Sequence, residues 1–267
     1  MNPVFWLELR LRLRERKLWV LSLLFLLILL AISGTVVAST LGENIGPSGI
    51  GQIGATLLFS LISVLMGVMI LIGCLGNAGR ISEEREQRTL PGLLNNPQSA
   101  SRIVIGKLLG GWAFTAWFFF LSLPFFAMVV VWGGVPLARA SAGLAACLLT
   151  GLTVAAVSLG FSGFFKRSIT SYLAVGLFLL FWMGIVPILG ALANNLIQET
   201  PRQAPSPVVS YLFYNHNPVV VLVNILGGSE HPVLWPLLYA AGVWCLMIWA
   251  GIGFAVRGLK RGLFERF

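Results

Sequence analysis

Arg80-Ile-Ser-Glu-Glu-Arg-Glu-Gln-Arg-Thr-Leu-Pro-Gly-Leu-Leu-Asn-Asn-Pro-Gln-Ser-Ala-Ser-Arg-Ile-Val-Ile-Gly-Lys107 is the longest polar interruption in the first two-thirds of this chain. Its reading decides the fold. Glu83, Glu84, Arg85, Glu86 and Arg88 crowd into one short block, and the sequence on either side is nearly all apolar. Ions packed so densely cannot sit in hydrocarbon, because each would be costly to dehydrate. The chain therefore leaves a membrane here and re-enters it almost at once. Inside the stretch the charged run comes first. Thr89-Leu90-Pro91-Gly92-Leu93-Leu94 follows, a short amphipathic piece broken by Pro and Gly. Asn95-Asn96-Pro97 makes a turn, Ser99 and Ser101 are candidate helix N-caps, and Ile103 to Lys107 runs into the next apolar segment.

Composition agrees. The 267 residues are 57% hydrophobic and 10% charged, whereas a soluble domain carries roughly 25% charged residues. The net charge of +9 is segregated, which argues for a membrane topology and against nucleic acid as a partner. Arg10, Arg12, Arg14, Arg16 and Lys17 precede the first apolar run. Arg80, Arg85, Arg88, Arg102 and Lys107 occupy the central stretch. Lys166 and Arg167 sit between later segments, and Arg257, Lys260, Arg261 and Arg266 come last. Only Arg139 and Arg202 fall on the other side. By the positive-inside rule both termini are expected in the cytoplasm, in a multi-pass protein of the plasma (inner) membrane, with anionic lipid as neighbour. The first apolar run is too long for a signal-peptide core and lacks a small-x-small cleavage site, so it reads as a retained anchor. Cys74, Cys147 and Cys245 lie in apolar segments and match no disulfide or metal spacing.

About six apolar segments are each near the roughly 20 residues that cross a bilayer: 18–40, 53–77, 108–132, 142–165, 172–193 and 234–256. Trp19, Trp112, Trp132 and Trp235 fall near their ends, as an aromatic belt would. Residues 1–17 are expected as an interfacial helix. Leu7, Leu9, Leu11 and Leu13 alternate with charges at a strand's period, but no partner strand exists. Phe5 and Trp6 would face lipid while the Arg heads reach for phosphates. No span holds a firmly placed ionisable residue, which argues against a proton- or sodium-driven carrier. Gly73, Gly76 and Gly79, and the pair Gly106 and Gly110, are expected to pack helices; Pro124 and Pro187 can kink theirs.

Residues 194–233 change character. A polar, Pro-rich run is followed by apolar 208–213, a Tyr214-Asn215-His216-Asn217-Pro218 turn, and apolar 219–226, too short to span. A short apolar stretch between two spans on the outer side reads as re-entrant or interfacial.

Enzyme chemistry finds little support. No G-x-x-x-x-G-K-[ST] loop is present to cradle ATP phosphates: Gly106-Lys107 is followed by Leu108. Glu83-Glu84-Arg85-Glu86-Gln87-Arg88 does fit E-E-x-x-x-R, which resembles the signature of CAAX-type intramembrane proteases. Those enzymes also need histidines near the carboxylates. Here His216 and His231 are expected on the opposite face, and Phe213 stands three rather than four residues before His216. A non-transporting membrane scaffold that anchors a cytoplasmic complex through the central stretch is the other alternative.

The central stretch resembles the cytoplasmic loop of ABC-2 type transporter permeases, whose pattern is E-E-R-x-x-G-T-L-x-x-L-L-x-x-P-x-S-x-x-x-I-x-x-G-K. Glu83, Glu84, Arg85, Thr89, Leu90, Leu93, Leu94, Pro97, Ser99, Ile103, Gly106 and Lys107 match in order. Arg88 stands where the family has Gly, and Pro91-Gly92 is a departure. Glu8-Leu9-Arg10 resembles the E-L-R start of the family's connecting helix. The resemblance implies an all-α membrane protein, a single transmembrane domain over residues 1–267. It has six transmembrane helices, an N-terminal interfacial helix, a cytoplasmic coupling helix between spans 2 and 3 (within 80–107), and a short extracytoplasmic helical hairpin between spans 5 and 6. It implies that Glu83, Glu84, Arg85, Thr89, Leu90, Leu93, Leu94, Pro97 and Ser99 couple to a separate ABC ATP-binding subunit, which binds ATP and Mg. It puts Tyr214, Asn217 and Pro218 in an external gate region. A second permease subunit, identical or not, completes the core. Catalytic and metal-binding residues are not expected in this chain. Export is the implied direction, and the scarcity of charge in the spans suits an amphiphile, lipid-linked molecule or peptide.

Overall fold

The computed structural model describes residues 3–41, 47–88, 99–133, 135–197, 207–226 and 234–264. Among them no residue is in a β-strand. In chain order the helices are α1 (Pro3–Leu13), α2 (Arg16–Leu41), α3 (Pro47–Leu75), the short α4 (Ser82–Glu86), α5 (Ala100–Trp132) and α6 (Leu137–Phe164). Next come α7 (Ser168–Leu180), a π-helical turn (Phe181–Ile185) and α8 (Val186–Ile197), which together make one rod. Then α9 (Pro207–Val209) runs into a second π-helical turn (Ser210–Tyr214), followed by α10 (Pro218–Leu226) and α11 (Leu234–Phe264). Six stretches are long and apolar enough to cross a bilayer: Leu18–Ser39, Gln52–Leu75, Ala100–Val131, Leu137–Phe164, Ser168–Leu196 and Leu237–Lys260.

The alternating leucines of the N-terminal segment are helical, not extended. With no neighbouring strand, the backbone groups of α1 are satisfied only by bonding within the segment. Its buried residue is Glu8, while Trp6 and Leu7 are exposed. The third apolar run begins at Leu108, yet its helix starts at Ala100. Lys107 therefore sits inside a spanning helix, at 2% exposure. The helix that carries the third span thus begins eight residues before its apolar run. Hydropathy finds where the apolar run starts; it does not see that two polar turns continue the same helix.

Span 4 (α6) is the hub. Of its apolar window 61% is buried, against 22% for span 1 and 17% for spans 5 and 6. Small residues make this possible. A Cβ at Gly160 would lie 2.9 Å from the carbonyl oxygen of Gly251, and one at Gly163 would lie 2.8 Å from Cα of Ala255. The backbones of spans 4 and 6 thus touch, which only glycine and alanine permit. Of the glycines expected to pack helices, Gly73 does so against Gly151 of span 4, and Gly110 against Glu8 of α1. Three apolar clusters follow. Leu18, Phe25, Leu57, Leu61 and Phe118 join spans 1, 2 and 3; Ile81, Val104, Leu159 and Leu259 lie under the turn after span 2; Trp182, Val221, Ile225 and Trp244 surround α10.

Candidate functional site

The turn after span 2 is bonded to the neighbouring helices through several of its polar groups. Ser171 of span 5 donates its hydroxyl to Ala78 O. Ser162 of span 4 accepts from the amides of Ile81 at 2.8 Å and Ser82 at 3.1 Å, donors that a helix N-terminus leaves open. Four consecutive side chains then reach four different places. Glu83 accepts from the hydroxyl of Tyr172 at 3.1 Å. Gly79 makes the room, because a Cβ there would strike the Glu83 carboxylate and the Tyr172 ring oxygen. Glu84 meets Lys107 at 2.5 Å. Arg85 donates to the carbonyls of Phe165 at 3.0 Å, Gly163 at 3.2 Å and Gly258 at 3.2 Å. It thereby caps the C-terminal end of span 4 and bridges it to span 6. Glu86 accepts from the amide of Ser168 at 3.0 Å and its hydroxyl at 2.6 Å, a carboxylate at the first turn of span 5. Those two donors, the hydroxyl first, hold the exposed Glu86 carboxyl below the usual carboxylate range.

Lys107 is the centre of an ion cluster. Its Nζ lies 3.3 Å from Glu8 Oε1 as well as against Glu84, and Arg80 Nη1 lies 3.2 Å from Glu8 Oε2. Two acids and two bases meet in these three ion pairs. It ties α1, the end of span 2 and the start of span 3 into one unit. A Cβ at Gly110 would lie 2.7 Å from Cβ of Glu8, so that glycine lets α1 close on span 3 and deliver its carboxylate to Lys107.

Arg88, which stands where the related loops have glycine, has φ +55°, the left-handed conformation that glycine adopts without strain. It follows Gln87, the C-cap of α4, so the backbone makes the glycine-type helix end with an arginine.

A second polar node lies along the bundle. Pro187 has no N–H, so the carbonyl of Met183, four residues back, loses its helical donor. Asn217 Nδ2 lies 3.1 Å from that oxygen and 3.5 Å from Trp182 O. The same side chain caps α10, its Oδ1 accepting from the amide of Val219 at 3.0 Å, and Pro218 occupies the first helical position. Trp244 of span 6 donates its indole N–H to His216 O at 2.9 Å. Trp182 is fourteen residues past Ser168, about 21 Å along the rod at 1.5 Å per residue. The turn between α9 and α10 thus meets spans 5 and 6 far from the charged end. Tyr214 packs where Gly190 lacks a side chain.

Of the residues expected to couple to an ATPase, Glu83, Glu84 and Arg85 have side-chain partners within this chain. Ser99 stands at the N-cap position of α5 but makes no side-chain cap; its hydroxyl pairs with that of Ser101. Thr89, Leu90, Leu93, Leu94 and Pro97 lie outside the described residues, as does His231. Tyr214, Asn217 and Pro218 come together as one turn. His216 is remote from Glu83 and Glu84, so the carboxylate–histidine contact that a CAAX-type protease needs is not made with it. Sequence reasoning did not assign Glu8, Lys107, Ser162 and Ser168 as partners of the acidic run; only the bare matches to E-L-R and G-K marked the first two.

Six helices long and apolar enough to cross a bilayer are those of a multi-pass membrane protein. The family model described as ABC-2 family transporter protein matches residues 2–261, and the chain belongs to that family. It is therefore a permease component of an ABC transporter, and membership implies an ABC ATP-binding subunit as its partner. No curated protein matches the chain.

Proposed function

We propose that this chain forms, with a second permease subunit, the substrate pathway of an ATP-driven exporter of the plasma membrane, and that residues 89–98 dock the ATP-binding subunit. ATP and Mg belong to that partner. Both termini lie in the cytoplasm on this reading. The observation that carries it is the bonding of residues 82–86 to spans 3, 4, 5 and 6 through Lys107, Ser162, Arg85's three carbonyls, Ser168 and Tyr172. Any displacement of residues 89–98 reaches those helices through this root. Glu83, Glu84 and Arg85 are thus the joint of a lever, and Leu90, Leu93 and Leu94 the apolar surface that the partner grips. Closure of the partner on ATP biases the spans between two packings, a population shift between inward- and outward-facing states. The hairpin turn at Asn217 wedges spans 5 and 6 and serves as the gate at the far end. The direction of transport rests on the family resemblance.

The test is co-purification with the cognate ATPase. Leu93→Asp with Leu94→Asp is expected to abolish the complex while leaving the permease folded. Lys107→Met is expected to keep the complex but uncouple ATP hydrolysis from transport. Retention of the complex by the double Asp variant would show that residues 89–98 are not the dock.

A further inference from the structure

At the inner ends of spans 4, 5 and 6 lies a cleft of about 400 Å³ whose walls are Phe161, Phe165, Phe178, Met247, Ala250 and Gly251. That is within the size of a small-molecule site, roughly 300–1,000 Å³. The rings are ordered against one another: Phe161 stacks on Phe165 at 6.2 Å and leans on Phe178 at 5.8 Å. Phe164 and Phe254 flank the opening and are each 53% exposed, so the cleft opens sideways from the bundle. Its lining is apolar, yet its end is not. Along span 6 the stripe Met247, Ala250, Phe254 continues one turn later to Arg257, which is exposed. Along span 4 the lining residue Phe165 is followed directly by Lys166, also exposed. None of the three helices carries an Asp or Glu.

We propose that this cleft binds one acyl chain of an anionic membrane lipid, with Lys166 and Arg257 holding the head-group phosphate at its mouth. An apolar cleft of this volume takes a charge-free occupant such as a segment of acyl chain. Two basic groups at one end ask for an anion attached to it. Both side chains have apolar stems long enough to follow the lipid and keep their charges at the head-group level. A symmetry-related copy of this chain is a poorer occupant, because it would bring the same basic groups face to face. The inference concerns the outer surface of spans 4, 5 and 6 and holds whether or not residues 89–98 dock an ATPase.

The experiment uses the full chain in phosphatidylcholine nanodiscs, with phosphatidylglycerol or phosphatidylcholine probes carrying a diazirine on the same acyl chain. Adducts are mapped by mass spectrometry. The phosphatidylglycerol probe is expected to label residues 157–165, 178 and 247–254 at least fivefold more than the phosphatidylcholine probe, since a basic residue near the head group is worth about a fivefold factor. Lys166→Gln with Arg257→Gln should erase the preference while the adducts from both probes still map to the same residues. Ala250→Trp, at an exposed position, should fill the cleft and cut labelling by both probes. Displacement of the probe from wild type by unlabelled phosphatidylglycerol, and not by phosphatidylcholine, gives the same answer without any variant. Equal labelling by the two probes would reduce the cleft to ordinary lipid contact and overturn the proposal. Crosslinks from these residues to a second copy, in place of lipid adducts, would also overturn it.

Discussion

Two polar nodes hold this bundle together, and they are built of different chemistry. At the basic end, Glu8, Arg80, Glu84 and Lys107 are joined by three ion pairs. About 21 Å along span 5, the contact is one uncharged amide, Asn217, against the carbonyls of Trp182 and Met183. The difference follows place along the helices. Ions are tolerated where helix ends meet and every charge has a counter-charge beside it; a lone ion in the hydrocarbon is costly. An amide can serve in mid-helix, because it offers a donor and an acceptor at far smaller desolvation cost. Breaking the first node is therefore expected to cost more than breaking the second.

The largest effect should come from Lys107→Met, which leaves Glu8 and Glu84 without their shared base. Unfolding in detergent, followed by thermal or denaturant melting, is expected to show a loss of about 3–5 kcal/mol. Adding Glu8→Gln should recover part of it. A loss under 1 kcal/mol would mean that water already screens the cluster, and the contrast in strength between the nodes would disappear.

Asn217→Asp comes next. It keeps the helix-capping oxygen but turns the amide that serves Met183 into a buried carboxylate facing two carbonyls, and a loss of about 3 kcal/mol is expected. The comparison sharpens in a Pro187→Ala background. There the restored N–H can serve Met183 O by itself, so the same Asp substitution should cost measurably less. Equal cost in both backgrounds would break the assignment of Asn217 as the replacement for proline's missing donor.

Arg88→Gly is expected to act in the opposite sense. It relieves a left-handed arginine at the end of α4, and stability should rise by about 0.5–1 kcal/mol, the strain released less the entropy glycine adds to the unfolded chain. The smallest effect belongs to Glu86, at the rim of the charged node. Its folded pKa is lowered by Ser168, so its contribution is fully present above the ordinary carboxylate value of about 4.5 and is lost as pH falls through the lowered folded value. Glu86→Gln should remove that part of the acid sensitivity by lowering the neutral-pH stability slightly towards the acid value, as read from melts across pH 3–7.

Much of this molecule is legible in one dimension. Length and apolar content are enough for six spanning helices, since a bilayer of fixed thickness demands runs of about 20 apolar residues. The dense charge of Glu83 to Arg88 is enough to bring the chain out of the membrane between two of them. The match of Glu8, Glu84 and Lys107 to a family pattern marks these residues without saying why they belong together. Their common purpose appears only in three dimensions. Lys107 is 23 residues from Glu84 and 99 from Glu8, and Arg85 is 173 residues from Gly258, so no local periodicity can pair them. The seam of Gly160 and Gly163 against Gly251 and Ala255 is hidden for the same reason: small residues show that some backbone comes close, but not which one. Hydropathy is a property of each residue against its solvent and can be read in order along the chain. Partner choice for a buried charge or a bare carbonyl is a property of helix packing, and it exists only once the spans have assembled.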